Sequence, residues 1–308
     1  MIRSPIGFAV LTHRDPPQIA RLLSRLRDLY PDSPVALHHD FGKSDLDVSV
    51  PAGVQVVTPH LAAGWGTWNI VEAKLAALRL LYRGGDGPEF VAVLSGTDYP
   101  VARAARVVAD LRAGGADAYL KATPVWPWRR DRRASPGPLG FGPNEGASNQ
   151  EVCYRRYWST MYRPLGIRIR VRSPLLTPLL VPFSRQLVCH AGEFWSTLGR
   201  RAAEHLLEMA ELRPELSRWF AERHIPDEAY VHTVLCNALE LRVDRRNFRY
   251  VDWTSNTPSP RQLEVADVPR ILASGAHFAR KFSVDHPALD AIDAALGLPP
   301  WRGRGARS

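Results

Sequence analysis

Two short segments of the chain carry side chains suited to acid–base and anion chemistry. Pro226-Asp227-Glu228 sets two carboxylates at a helix start, and Phe278-Ala279-Arg280-Lys281-Phe282 sets two cations between phenylalanines. Acids in a first turn complement the helix dipole, which is their ordinary use. Glu228, however, shares a helical face with Val231, His232 and Leu235. That face is partly apolar, and a carboxylate at its edge would be partly desolvated and more basic. In strand geometry Arg280 and Lys281 point to opposite sides, so one of them faces inward and needs an anionic partner. Arg261, in Ser259-Pro260-Arg261, adds a further cation. One D-x-D triplet, Asp45-Leu46-Asp47, is of the kind that binds a metal–nucleotide diphosphate. It falls beyond a strand end in a solvated loop, whereas divalent ions need converging oxygens. P-loop, Rossmann dinucleotide, zincin and nucleophile-elbow motifs are all missing, which removes the usual support for those enzyme classes.

These segments must be held by a framework, and the first part of the chain shows one. Ile6–Leu11, Pro34–Leu37, Val54–Val57 and Phe90–Leu94 read as strands. Helices alternate with them: one opened by Pro16-Pro17 and carrying Ile19, Leu22, Leu23, Leu26 and Leu29, one over Asn69–Tyr82, and one over Val101–Leu111. The alternation predicts an α/β fold, a largely parallel sheet with helices on both faces. Ligands in such sheets sit beyond the carboxyl ends of the strands. Here those ends carry Thr12-His13-Arg14-Asp15, His38-His39-Asp40, Gly64-Trp65-Gly66 and Ser95-Gly96-Thr97-Asp98-Tyr99-Pro100. Residues 123–150 are rich in Pro, Gly, Arg and Trp and read as a long loop. Beyond them the pattern predicts a strand at Arg185–Cys189, helices over Glu193–Met209 and from Pro226 to Ala238, a strand at Phe248–Trp253 and a helix over Pro287–Leu296. The basic tail 301–308 reads as frayed.

Composition bounds the class. With 308 residues, 45% apolar and 23% charged, the chain is globular rather than disordered or fibrous. It carries 40 lysines and arginines against 31 acids, a net +9, and only four of the cations are lysines: Lys43, Lys74, Lys121 and Lys281. Three scattered cysteines form neither a disulfide framework nor a zinc site. No signal peptide or uninterrupted apolar span appears, so the expectation is a soluble, cytoplasmic protein.

Read together and in order, several segments resemble the core-2/I-branching β-1,6-N-acetylglucosaminyltransferases and their peptide O-xylosyltransferase relatives. The matching pieces are Leu11-Thr12-His13-Arg14, His39-Asp40 with Lys43-Ser44, Trp65-Gly66 with Val71-Glu72-Ala73, and Leu94–Pro100. Gly192-Glu193-Phe194-Trp195, Pro226-Asp227-Glu228, Tyr250-Val251-Asp252-Trp253 and Phe278–Phe282 follow. The resemblance implies a single GT-A (Rossmann-like) domain over 1–300: a nucleotide-binding half (1–122), the 123–150 loop, and an acceptor and catalytic half (151–300). It implies an inverting transfer from a UDP-sugar, GlcNAc first and xylose or another sugar as the alternative, with no metal or other cofactor. Carried across, the catalytic base falls on Glu228, and the diphosphate cations on Arg261 and Lys281. The nucleotide side falls on His13, Asp40 and Trp65, and the sugar and acceptor pocket on Asp98, Glu193, Trp253 and Arg156. The family's animal members have a membrane anchor, a stem and disulfides, so this chain looks like a soluble bacterial branch with its own acceptor.

The expected partners are a nucleotide sugar and a carbohydrate or glycosylated small-molecule acceptor, with no specific nucleic acid. The basic charge would also suit peripheral contact with an anionic membrane. Two other readings compete: a polyanion-binding protein, favoured by the charge and Arg129–Arg133, and a glycoside hydrolase using Glu228 with a second carboxylate.

Overall fold

Alternating side chains on the first strand serve two cores at once. In the computed structural model, which describes residues 4–48, 50–125, 147–158, 160–162, 169–171, 181–254 and 259–302, Phe8 and Val10 enter one apolar cluster and Ala9 the opposite one. A strand buried on both faces is what a covered parallel sheet requires.

The strands are β1 (Ile6–Thr12), β2 (Val35–His39), β3 (Val54–Val56), β4 (Phe90–Ser95), β5 (Tyr99–Pro100) and β6 (Ala118–Pro124). They continue with β7 (Thr160–Tyr162), β8 (Ile169–Val171), β9 (His190–Gly199), β10 (Val243–Asp244), β11 (Arg249–Val251) and β12 (Phe278–Arg280). Seven of them form the main sheet in the order β10-β6-β9-β4-β1-β2-β3, with β9 alone antiparallel to its neighbours. A small sheet, β11-β12-β5, lies beside it, and β7 and β8 pair separately. Helices α1 (Pro16–Leu29) and α3 (Ala104–Gly114) cover one face of the main sheet, while α2 (Asn69–Leu81) contributes Val71, Leu75 and Leu78 to the core on the other. The mixed α/β architecture with helices on both faces agrees with the pattern read from the sequence.

Several boundaries differ, each for a physical reason. Glu193 does not open a helix but lies in β9, because Phe194, Trp195 and Thr197 are strand formers with burial available on both faces. The helix expected there starts at Arg200, behind Gly199, whose added Cβ would meet the Asp117 carbonyl at 2.9 Å. Arg185–Cys189 is not a strand. Val101 precedes its helix, held by its N–H donating to the His277 carbonyl at 2.9 Å. The helix expected from Pro226 is a 3-10 turn over Pro226–Glu228, a break at Ala229, and an α-helix over Tyr230–Cys236. Of the expected 123–150 loop, Thr123 and Pro124 belong to β6 and Ala147 begins α4 (Ala147–Tyr157), while 126–146 lie outside the described residues. In the basic tail, the Arg25 guanidinium lies over the Trp301 ring at 5.5 Å, and 303–308 are outside the described residues.

The C-terminal helix (Pro287–Ala295) is fastened to α1 by buried charge. Asp293 Oδ2 accepts from Arg21 Nη2 at 2.7 Å and from Arg25 Nε at 3.0 Å, and its Oδ1 accepts from the Tyr99 hydroxyl at 2.7 Å. Removing one partner would strand the others in a low-dielectric interior. Asp293→Ala is therefore expected to cost about 3–5 kcal/mol, read as a lower urea midpoint at an unchanged m-value.

Candidate functional site

The loop through Ala63 and Gly66 links the carboxyl end of β2 to the turn that carries Glu228, with Ala63 N–H donating to Asp40 Oδ2 at 2.9 Å. That turn is held from two sides. Ile225 N–H donates to the Gly66 carbonyl at 3.0 Å, and the Tyr157 hydroxyl donates to the Ile225 carbonyl at 2.7 Å. Gly66 has a φ of +72°, and a Cβ there would come within 2.7 Å of the His224 ring, so the loop after Trp65 needs glycine. Trp65 itself is 71% exposed, its ring edge-on to His224 at 5.0 Å.

Glu228 meets Arg156 through an ion pair of 3.3 Å, Nη1 to Oε2. Burial of the surrounding turn, and then the neighbouring Asp227 charge, push its carboxyl up to about 8, with Arg156 pulling the other way. Asp227 is raised too, first by burial, against the pull of Lys74. Lys74 is fully buried, donates to the Phe194 carbonyl at 2.9 Å, and is pushed down to about 8 by desolvation. His232 sits close by, held neutral by burial with its value near 3. Glu193 adds negative charge toward Glu228 while its own oxygens accept from Lys121 Nζ at 2.9 Å and Asn247 Nδ2 at 2.6 Å.

A second cluster joins the two sheets. Asp98, fully buried just before β5, accepts from Trp195 Nε1 at 2.9 Å and Ser95 Oγ at 2.8 Å. The Arg280 guanidinium lies 3.6 Å over the Trp195 ring, with Nε 3.4 Å from Asp98 Oδ1 and Nη2 donating to Thr97 Oγ1 at 3.2 Å. So Arg280 is the inward cation of the pair. Lys281, partly open, donates to Ser259 Oγ at 2.6 Å, and burial followed by the Arg280 and Arg14 charges lowers its pKa.

On the nucleotide side, Asp40 is buried and already accepts two backbone N–H groups, Gly42 at 3.1 Å and Ala63 at 2.9 Å. His13 is exposed, and its imidazole is lowered by partial desolvation first and then by Lys43. Arg261 is not a poised cation: its Nη2 lies 2.6 Å from Asp252 Oδ2 and 2.9 Å from Asp267 Oδ1. Trp253 follows β11 beside that cluster, its indole N–H buried without a hydrogen-bond partner among the described residues. Asp45 and Asp47 lie in the loop after β2, and among the described residues no group of three or more His, Cys, Asp or Glu side chains is arranged to hold a metal ion.

The fold thus brings Glu228, Arg156 and Glu193 into one electrostatic neighbourhood and pairs Asp98 with Arg280. It leaves Trp65 at a rim and Arg261 neutralised. Sequence reasoning did not select Lys74, Lys121, Trp195 or Asn247. The scarcity of lysine was the available signal for two of them.

Comparison with known proteins adds an independent line. The family described as Core-2/I-Branching enzyme matches residues 6–272. The chain is 26% identical over 247 residues to β-glucuronosyltransferase GlcAT14B of Arabidopsis thaliana, covering 78% of this chain and 51% of that protein. It is 33% identical over 110 residues to GlcAT14A of the same plant, covering 34% of this chain and 24% of that one. At best, then, the chain spans about half the length of these relatives. A solved structure, that of the apo bifunctional glycosyltransferase WbbM, aligns over 91% of this chain and 46% of its own at 12% identity and a TM-score of 0.34.

Asp98→Ala would leave the Arg280 guanidinium buried without its anion. The expected cost is about 3–5 kcal/mol of stability, measured by urea unfolding.

Proposed function

Because the chain belongs to the core-2/I-branching enzyme family, we propose that it is a glycosyltransferase. On this reading it moves a sugar from a UDP-sugar to an acceptor hydroxyl, with inversion and without a divalent metal. The observation that carries the reading is Glu228: a half-exposed carboxyl raised to about 8, paired with Arg156 at 3.3 Å and held on a two-sided turn. Inverting transfer is one in-line displacement, so a base must take the acceptor proton on the face opposite the leaving diphosphate. A base of raised pKa suits that task, and Arg156 keeps a share of it ionised near neutral pH.

The departing diphosphate gathers charge that fixed cations can stabilise in place of a metal. Lys281 takes the larger share in this proposal, with Arg14 within electrostatic reach of it. Arg261 contributes less, since Asp252 and Asp267 already claim its guanidinium. Loss of Lys281 should raise the barrier by about 3–4 kcal/mol, by analogy with a lost oxyanion donor. For the sugar, GlcNAc and xylose follow from the resemblance, and the names of the Arabidopsis relatives add glucuronic acid. Acceptor hydroxyls of a carbohydrate or glycosylated small molecule complete the reaction.

Calorimetric titration of UDP in excess EDTA tests the donor site. Metal-free binding that Lys281→Ala weakens and Arg261→Ala weakens less is the expected result; binding only after Mn²⁺ or Mg²⁺ is added would overturn the metal-free reading. A screen of UDP-GlcNAc, UDP-xylose and UDP-glucuronic acid then identifies the sugar.

The base has its own signature. Because Glu228 works deprotonated, kcat/KM should rise with pH through about 8 and level off above it. Arg156→Gln removes a cation that favours the ionised form, so the rising limb should move to higher pH. Glu228→Gln should abolish transfer at every pH while UDP still binds, and retained turnover in that variant would remove the base assignment.

A further inference from the structure

A cavity of about 700 Å³ lies on the flank where α3 meets the β10–β11 connection and the turn before β12. Glu228, Asp40, Trp65 and Lys281 do not line it. Its size falls within the range of about 300–1,000 Å³ typical of small-ligand sites.

The lining is basic. Arg106, Lys121, Arg245, Arg246 and Arg249 face one acid, Asp110, and Arg249 is buried with its guanidinium donating to the Val93 and Ser196 carbonyls at 3.1 and 3.4 Å. Three of these cations have acidic neighbours: Arg106 stands 3.6 Å from Asp110, Lys121 2.9 Å from Glu193, and Arg246 2.6 Å from Asp244. Asp110 is shared, since His277 Nε2 lies 3.2 Å from the same carboxylate oxygen. Arg245 is exposed and makes no ion pair among the described residues. The wall is therefore short of negative charge. It also carries two aromatic side chains, Phe248 and Tyr250, with Phe248 stacked at 4.1 Å on the buried His277 ring and lying under the Arg246 guanidinium at 5.4 Å. Arginines present planar donors to oxyanions, and an aromatic ring offers an apolar surface to a sugar face.

We propose that this cavity binds an anionic saccharide, a sugar bearing a carboxylate, sulfate or phosphate, with Arg106 and Arg245 on the anion and the Phe248 side against the ring. A bare inorganic anion would leave most of the volume and the aromatic wall unused. Lys121 lines the cavity and also holds Glu193, whose charge acts on Glu228, so the two sites share one ion pair. Binding here does not depend on the transfer reaction.

The test is a ligand-observed NMR titration of the full chain with glucuronic acid, glucose 6-sulfate and glucose 6-phosphate, beside neutral glucose. At least one of the charged sugars should bind about tenfold or more tightly than glucose, as one charge-assisted contact is worth. The three arms show which oxyanion is preferred. Arg106→Ala/Arg245→Ala should weaken that binding about tenfold or more while leaving the Kd for UDP in place. A charge-matched control, Arg79→Ala/Arg83→Ala, removes two exposed arginines elsewhere and should change neither. Equal affinity for charged and neutral sugars would overturn the proposal. So would equal weakening by both double variants, which would mean bulk charge, or loss of UDP binding in step with the sugar, which would make the cavity part of the donor site.

Discussion

The pairing of Arg280 with Asp98 holds the site's two walls in one place. Arg280 comes from the small sheet, Asp98 from the turn between β4 and β5, and Trp195 from the antiparallel strand of the main sheet. A buried guanidinium is tolerated only where an anion and good donor geometry meet it. Asp98 supplies the anion, Trp195 both the ring face and a hydrogen bond back to Asp98, and Thr97 an acceptor. A second buried guanidinium, Arg249 of β11, ties the same two sheets by donating to the Val93 and Ser196 carbonyls at 3.1 and 3.4 Å. The Arg280 pairing has a local consequence as well: with Arg280 turned inward, the next residue, Lys281, is delivered to the partly open side of the same strand end.

A second arrangement of charge sets the chemistry of Glu228. Lys74 and Asp227 are both buried, and burial moves each toward its neutral form while each restrains the other. Asp227 in turn adds to the desolvation that raises Glu228, and Arg156 subtracts from it. The carboxylate is thus tuned by neighbours of both signs. Lys74, which never reaches solvent, bears on this carboxyl through Asp227. The same principle explains the contrast between the two arginines near Lys281. Arg261, with two carboxylates on its guanidinium, is locally neutral in effect, whereas the charge around Lys281 is cationic on both sides through Arg280 and Arg14.

The lysines give this chemistry a pattern. In a chain whose cations are nearly all arginine, Lys74 is buried near Asp227, Lys121 holds Glu193, Lys281 stands at the strand end, and Lys43 acts on His13. A lysine moves toward its neutral form when buried, whereas a guanidinium stays charged. The arginines serve surface pairs and buried ties, Arg21 and Arg25 to Asp293 and Arg280 to Asp98.

Much of this was legible in the chain itself. Apolar periodicity located β1, β2, β3, β4, α1 and α2 to within a residue or two, because all but the half-open edge strand β3 are well buried and the pattern there is strong. Short polar segments after those strands lie at the carboxyl edge of the sheet, since the topology of a parallel sheet sends them there. Segment order along the chain also carried the family. Local pattern could not decide Glu193, whose surroundings suit a helix start as well as a strand; only pairing with β4 and β6 on both sides made it a strand. Nor could it show that Pro226–Glu228 is a separate 3-10 turn, because that turn is shaped by Gly66 and Tyr157, far away in sequence. Arg261 read as a poised cation until Asp252 and Asp267 were brought against it. Residue type and order determined the fold class and the candidate base. Which charges meet, and therefore which are neutralised and which remain to act, was decided by tertiary contacts, because electrostatic partnership depends on distance in space and burial, and neither is written in a local stretch of sequence.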